Sequence, residues 1–232
     1  MRSSTWRALG NTYVLVEPGA RPLDAARASE LATDTDGVLE ILSTSPGTVE
    51  IAIWNPDGSR AELSGNGARI AASWLAEQSG EREIDVVVAD RLVRTRILDT
   101  GELEQALGDV VVGAPETVDG VSFIPVSVGN PHAVVIGAPD TITRVGPFLE
   151  THERFPRGTN VQVARVDRPG EVTARVWERG VGETPSSGTS AVAIAAATHD
   201  DGEVIVHFPG GDLRVHLEDG RATLYGTAER IS

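Results

Sequence analysis

Short stretches of alternating apolar and polar residues fill most of this chain. Trp6–Glu17 alternates well enough to be a strand, with Gly10-Asn11 interrupting it. A glycine inside a strand pattern points to a bulge or to close approach of another group. Gly37–Ser43, Thr48–Asn55, Glu83–Ala89, Leu92–Asp99 and Glu104–Val112 read as further strands, and Asn55-Pro56-Asp57-Gly58 as a turn. Phe123–Val128, His132–Ile136, Asn160–Arg168, Val172–Glu178, Val204–Phe208, Leu213–Glu218 and Ala222–Ala228 continue the pattern. Helical spacing appears at Pro22–Thr33, where Asp24 can cap, at Gly67–Ser79, stopped by Gly80, and at Thr141–Glu150 and Gly188–Thr198. The second and fourth of these helices are apolar on nearly every face, which predicts that they are buried. Strand-rich halves, each with one alanine-rich helix, predict an α+β fold of two pseudo-symmetric lobes, each a curled β-sheet around a central helix. The turn-rich Ala114-Pro115-Glu116 marks the expected boundary, giving lobes of 1–116 and 117–221.

The halves also match each other. At an offset of 123 residues Ser64-Gly65 falls on Ser187-Gly188, Trp54 on Trp177, and Ala68, Ala71 and Ala72 on Ala191, Ile194 and Ala195. Ala61–Leu63 leads into the first Ser-Gly step. At an offset of 119, Leu9-Gly10-Asn11 falls on Val128-Gly129-Asn130. The chain reads as one unit used twice, with a Ser-Gly helix start in each half. Serine before a helix is a preferred cap, which is the plain explanation for either step alone. Found twice, each followed by small residues that leave backbone N–H groups open at a positive helix end, the pair predicts an anion-accepting cleft suited to a carboxylate.

Composition narrows the chemistry. A net charge of −14 argues against a nucleic-acid partner. The apolar run Ala191–Ala197 is far too short to span a membrane, and no signal-type core follows Met1–Trp6, so the chain is expected to be cytoplasmic. It has no cysteine, which removes disulfides, thiolate nucleophiles and zinc–thiolate sites. It has no lysine either, all 20 basic residues being arginine, so a lysine Schiff base with PLP is excluded. The five histidines lack metal-motif spacing, and no metal is expected. Asn11, Asn55, Asn66, Asn130 and Asn160 lie in or beside turns, where asparagine is common for local reasons. Together they could serve as fixed donors and acceptors around a polar ligand. Glu178-Arg179 is either an exposed strand-end pair or one group for an ammonium and one for a carboxylate.

Taken in order, Gly10-Asn11, Asn55-x-Asp57-Gly58, Ser64-Gly65-Asn66-Gly67-Ala68-Arg69, Gly129-Asn130-Pro131-His132, Thr159-Asn160-Val161, Glu178-Arg179-Gly180-x-Gly182-Glu183-Thr184 and Ser187-Gly188-Thr189 resemble the diaminopimelate epimerases, within the PLP-independent amino-acid racemases. The resemblance runs from about residue 6 to the C-terminus. It implies two similar lobes with a small amino-acid substrate between them, no cofactor, and a last strand, about 222–232, that returns to the N-terminal lobe. It implies inversion at the α-carbon, of LL- to meso-diaminopimelate, in a lysine and cell-wall precursor pathway. Members often dimerise, so a homodimer is allowed. Substrate contacts carry over to Asn11, Asn55, Gly65, Asn66, Asn130, Asn160, Glu178, Arg179, Gly188 and Thr189, and supporting catalytic positions to His132 and Glu178. The family's two catalytic cysteines correspond to Ser64 and Ser187, and Gly37 stands where some members offer a glutamine. A thiol ionises near neutrality at a helix start, whereas an alcohol needs a partner base, with His132 and Glu178 the candidates. The serines leave open an enzyme engineered to be trapped inactive, a natural serine branch that keeps the reaction, or a relative that binds an amino acid without inverting it or acts as a lyase or isomerase on a hydroxylated or cyclic one. Avoidance of cysteine and lysine throughout favours the natural branch.

Overall fold

The computed structural model describes residues 2–19, 21–61, 64–89 and 91–232. Glu62 and Leu63, expected to lead into the first Ser-Gly step, lie outside them. The chain forms two compact units, Met1–Ala106 with Tyr225–Ser232, and Leu107–Leu224. No described helix is long and apolar enough to cross a membrane.

The first unit opens with a hairpin, β1 (Ser3–Ala8) and β2 (Asn11–Val16). The single interrupted strand expected over Trp6–Glu17 is therefore two antiparallel strands, with Trp6 opposite Tyr13 and Ala8 opposite Asn11. Leu9 and Gly10 both take positive φ, 48° and 81°. Two such residues in succession make the tight turn whose twist suits paired strands. Helix α1 (Ala25–Leu31) is capped by Asp24, whose side chain accepts from the Arg27 N–H. Strand β3 (Gly37–Ser45) runs parallel to β2, and β4 (Thr48–Trp54) runs antiparallel to β3. A short β5 (Arg60–Ala61) precedes α2 (Gly65–Ser79), and β6 (Glu83–Val88), β7 (Arg91–Ile97) and β8 (Leu103–Asp109) follow.

The second unit holds β9 (Val111–Val112), β10 (Glu116–Val118), β11 (Val121–Ser127) and β12 (Pro131–Ile136). The strand expected over Glu104–Val112 is thus broken, and the turn expected at Ala114–Glu116 runs into a strand. A 3₁₀ turn, Pro139–Thr141, leads into α3 (Ile142–Glu150). Then come β13 (Asn160–Arg168), β14 (Glu171–Glu178), β15 (Gly182–Thr184), α4 (Gly188–Thr198), β16 (Gly202–Phe208), β17 (Gly211–Glu218) and β18 (Arg221–Gly226). A last strand, β19 (Glu229–Arg230), pairs with β1 in the first unit.

The expected α+β architecture holds in both units. Helix α2 packs on β1, β2, β3, β4, β6 and β7, and α4 on β11, β12, β13, β14, β16 and β17. Every residue from Gly65 to Ala72 and from Gly188 to Ala195 is buried. Alanine, the best helix former, also keeps each helix thin enough for a sheet to curl around it. The internal echo extends to register: Val38 faces Trp54 across β3–β4, and Val161 faces Trp177 across β13–β14. Each tryptophan donates its indole N–H to a carboxylate, Trp54 to Glu40 at 3.0 Å and Trp177 to Glu150 at 2.6 Å.

Glu40 is only 5% exposed and also accepts from the Leu23 N–H at 2.7 Å. Replacing it by leucine strands two donors, each worth about 1–3 kcal/mol once its acceptor is gone. Glu40→Leu is expected to lower the unfolding free energy by about 2–4 kcal/mol, as read by urea denaturation.

Candidate active site

In the first unit the candidate residues gather at the start of α2. Ser64 has extended backbone, φ −138° and ψ 120°, and its Oγ accepts from the Gly67 N–H at 3.0 Å. That satisfies one of the N–H groups which burial of the helix start removes from water. Gly67 permits the approach of helix to strand, since a Cβ there would meet Leu39 Cδ2 at 2.9 Å. The Tyr13 hydroxyl lies 3.3 Å from the same Ser64 Oγ.

Behind Ser64, Arg69 is wholly buried. It donates to Asn66 Oδ1 and, at 3.1 Å, to Gln105 Oε1, while its Nε has no hydrogen-bond partner. Burial pushes its pKa down to about 10, against the opposing pull of Tyr13, so it stays a cation at neutral pH. A guanidinium can only donate, and this fixes the amides beyond it. The Asn66 oxygen faces Arg69, so its Nδ2 donates to Asn11 Oδ1 at 2.8 Å. The Asn11 oxygen therefore accepts, which fixes the orientation of its amide. Asn55 is tied into its own turn, with Nδ2 donating to Ser59 Oγ at 2.9 Å and its carbonyl accepting from Gly58.

In the second unit Ser187 opens α4 with the same extended backbone, φ −150° and ψ 128°, but its side chain makes no capping hydrogen bond. It is buried together with Ser186, Gly188, Thr189 and Ser190. His132 is 1% exposed and uses both ring nitrogens. Gln162 Nε2 donates to its Nδ1 at 2.9 Å, which leaves the proton on Nε2, 3.0 Å from Asn130 Oδ1. Gln162 Nε2 also donates to Ser190 Oγ at 2.9 Å, and its Oε1 is buried without a partner. Burial first, and the Arg179 charge after it, push the His132 pKa down to about 3, against the pull of the Gln162 hydrogen bond. The ring is neutral and a weak base. Asn160 donates to the Pro131 carbonyl at 3.0 Å and accepts the Arg179 N–H at 3.1 Å. The Glu178 carboxylate accepts from Thr184 Oγ1 at 2.6 Å.

The structure thus groups Ser64, Gly65, Asn66 and Asn11 in one unit, and His132, Asn130, Asn160 and Arg179 in the other. Sequence reading missed Tyr13, Gln105, Gln162 and any role for Arg69. Two of these carried a signal. Tyr13 falls on His132 at the offset that aligns Asn11 with Asn130, and Gln162 is a polar residue inside an apolar strand.

The diaminopimelate epimerase family profile matches residues 124–231. The chain is 33% identical to the diaminopimelate epimerase of Desulforudis audaxviator, over 100% of this chain and 97% of that protein. It is 36% identical to that of Moorella thermoacetica, over 96% and 94%. Among solved structures, a predicted epimerase from Pseudomonas aeruginosa superposes with a TM-score of 0.79 at 18% identity, covering 100% of this chain and 97% of the other. The last likeness is one of fold.

The neutral His132 makes stability depend on pH. Its folded pKa, about 3, lies below the ordinary 6.5, so the unfolded chain binds the proton first as the pH drops. The contribution is complete above pH 6.5 and is lost as the pH falls from there toward 3, by about 1.4 kcal/mol per unit. His207, whose pKa Asp212 and Glu171 hold up, works in the opposite sense. Comparing parent with His132→Gln cancels that term. Urea denaturation at pH 7 and pH 5 should show the parent losing about 2 kcal/mol more than the variant.

Proposed function

The chain belongs to the diaminopimelate epimerase family, and on that footing we propose that it inverts the α-carbon of an amino acid without PLP, converting LL- to meso-diaminopimelate. The observation that carries this reading is the repeated strand, Ser-Gly step and buried helix in a chain that aligns with such epimerases along its whole length. In this reading Ser64 and Ser187 exchange the α-proton, one removing it and the other delivering a proton to the opposite face. The N–H groups at the starts of α2 and α4 take the α-carboxylate and stabilise the charge that builds on it as the C–H bond breaks. Asn11 and Asn66, oriented by Arg69, and Asn160 with Arg179 bind the substrate's polar groups.

A second reading has its own support. Both acid–base positions are alcohols, and His132 is a weak base, which favours a relative that binds an amino acid without inverting it. Such a protein would be stabilised thermally by ligand and show no turnover.

Incubation with LL- and meso-diaminopimelate in deuterated water separates the two. The epimerase reading expects deuterium at the α-carbon together with a change of stereochemistry, and loss of at least about 100-fold of this activity in Ser187→Ala. Absence of exchange from either isomer rejects it. Activity gained only on placing cysteine at both 64 and 187 identifies a disabled epimerase site, whereas continued silence favours a binding protein.

A further inference from the structure

The least expected contact in the first unit is between two hydroxyls. Tyr13 Oη lies 3.3 Å from Ser64 Oγ, and Tyr13 is only 8% exposed. Its position is fixed from several sides. Tyr13 pairs in register with Gly37 across the parallel β2–β3 ladder and with Trp6 across β1–β2. Gly37 leaves the ring its seat: a Cβ there would lie 3.1 Å from Tyr13 Cε1 and 2.5 Å from the Trp54 carbonyl oxygen. His132 holds the equivalent place in the second unit, pairing with Asn160 across the parallel β12–β13 ladder. There the ring reaches α4 through Gln162 and Ser190. In the first unit the ring touches the capping serine itself.

We propose that Tyr13 is the proton partner that lets Ser64 act as an acid and a base. The inference rests on the epimerase reading of Ser64 and adds to it the group an alcohol lacks. A serine hydroxyl has one hydrogen and two lone pairs. One lone pair takes the Gly67 N–H at 3.0 Å, which leaves the other, and the hydrogen, for Tyr13 and the substrate. In the forward step the α C–H bond breaks and its electron pair stays on carbon, spread into the carboxylate. The step starts once Tyr13 has lost its phenol proton to solvent: the substrate proton goes to Ser64 Oγ while the serine's own proton goes to the Tyr13 phenolate oxygen. In the reverse step the phenol returns a proton to Ser64 as Ser64 gives one to carbon. No alkoxide need form fully, because the proton rests on a phenol, whose ordinary pKa is about 10. Tyr13 also favours the charged form of the buried Arg69.

A double-mutant cycle tests this, with α-deuterium incorporation into LL- and meso-diaminopimelate as the readout. Tyr13→Phe removes one oxygen and keeps the ring. In the parent it should slow exchange about 100-fold, within the usual range for acid–base groups. In a Ser64→Cys background the same change should slow exchange less than about threefold, because a thiol of ordinary pKa about 8.5 at a helix start ionises without the phenol. Equal losses in both backgrounds would mean that the ring only packs, and would overturn the proposal. So would a parent that Tyr13→Phe leaves as fast as before, although the epimerase reading would stand. A parent that exchanges neither isomer overturns the epimerase reading itself, and the role of Tyr13 falls with it.

Discussion

Burying the N-terminal turns of a helix is the constraint on which both units depend. Helices α2 and α4 pack on strands and are buried from Gly65 to Ala72 and from Gly188 to Ala195, so their first N–H groups cannot be left to water. An unpaired buried N–H costs about as much as a lost hydrogen bond, and the dipole leaves positive charge in the same place. Small residues follow each start because the sheet passes close by. The polar side chains around α2 answer the same demand. Ser64 caps, and Arg69, which has no carboxylate partner among the described residues, is held by amide oxygens alone. A site that attracts an anion is what remains when a buried positive end is left incompletely satisfied.

The two units meet this demand differently. In the first, the serine caps its own helix, touches a phenol and has a buried cation behind it. In the second, Ser187 makes no cap, and the polar network of His132, Gln162 and Ser190 runs behind it. The proposed epimerisation does not require identical groups in the two units, because the hydrogens on the two faces of an α-carbon are removed from different stereoisomers. The asymmetry follows from single substitutions in a shared frame, tyrosine against histidine at one place and arginine against valine at another, Arg69 falling on Val192.

Much of this was legible in the sequence, for identifiable reasons. The buried helices announced themselves through alanine runs apolar on all faces, and the repeat through Trp54 and Trp177 at the offset that joins Ser64 to Ser187. The β1–β2 hairpin was hidden because its turn uses Leu9, a residue that rarely adopts φ 48°, where asparagine would have signalled it. Strands of two or three residues such as β9, β10 and β15 are too short to alternate visibly. The proton partners were hidden for another reason. That His132 is locked between Asn130 and Gln162, and that Tyr13 reaches Ser64 across 51 residues of chain, depends on which side of a strand faces the helix start. Periodicity gives the two faces of a strand without saying which atoms meet on them.

The cap at Ser64 has a consequence for how such a site can change over evolutionary time. One oxygen both closes the α2 N-terminus and, in the proposed reaction, carries the proton. A thiol there is the better acid and the poorer cap, and an N-cap contributes about 0.5–2 kcal/mol to a helix. Acidity and anchorage are therefore traded against each other at a single atom. A lineage that drops the thiol gains a firmer helix start at once, and it can keep the reaction only if a neighbour such as Tyr13 is already within reach.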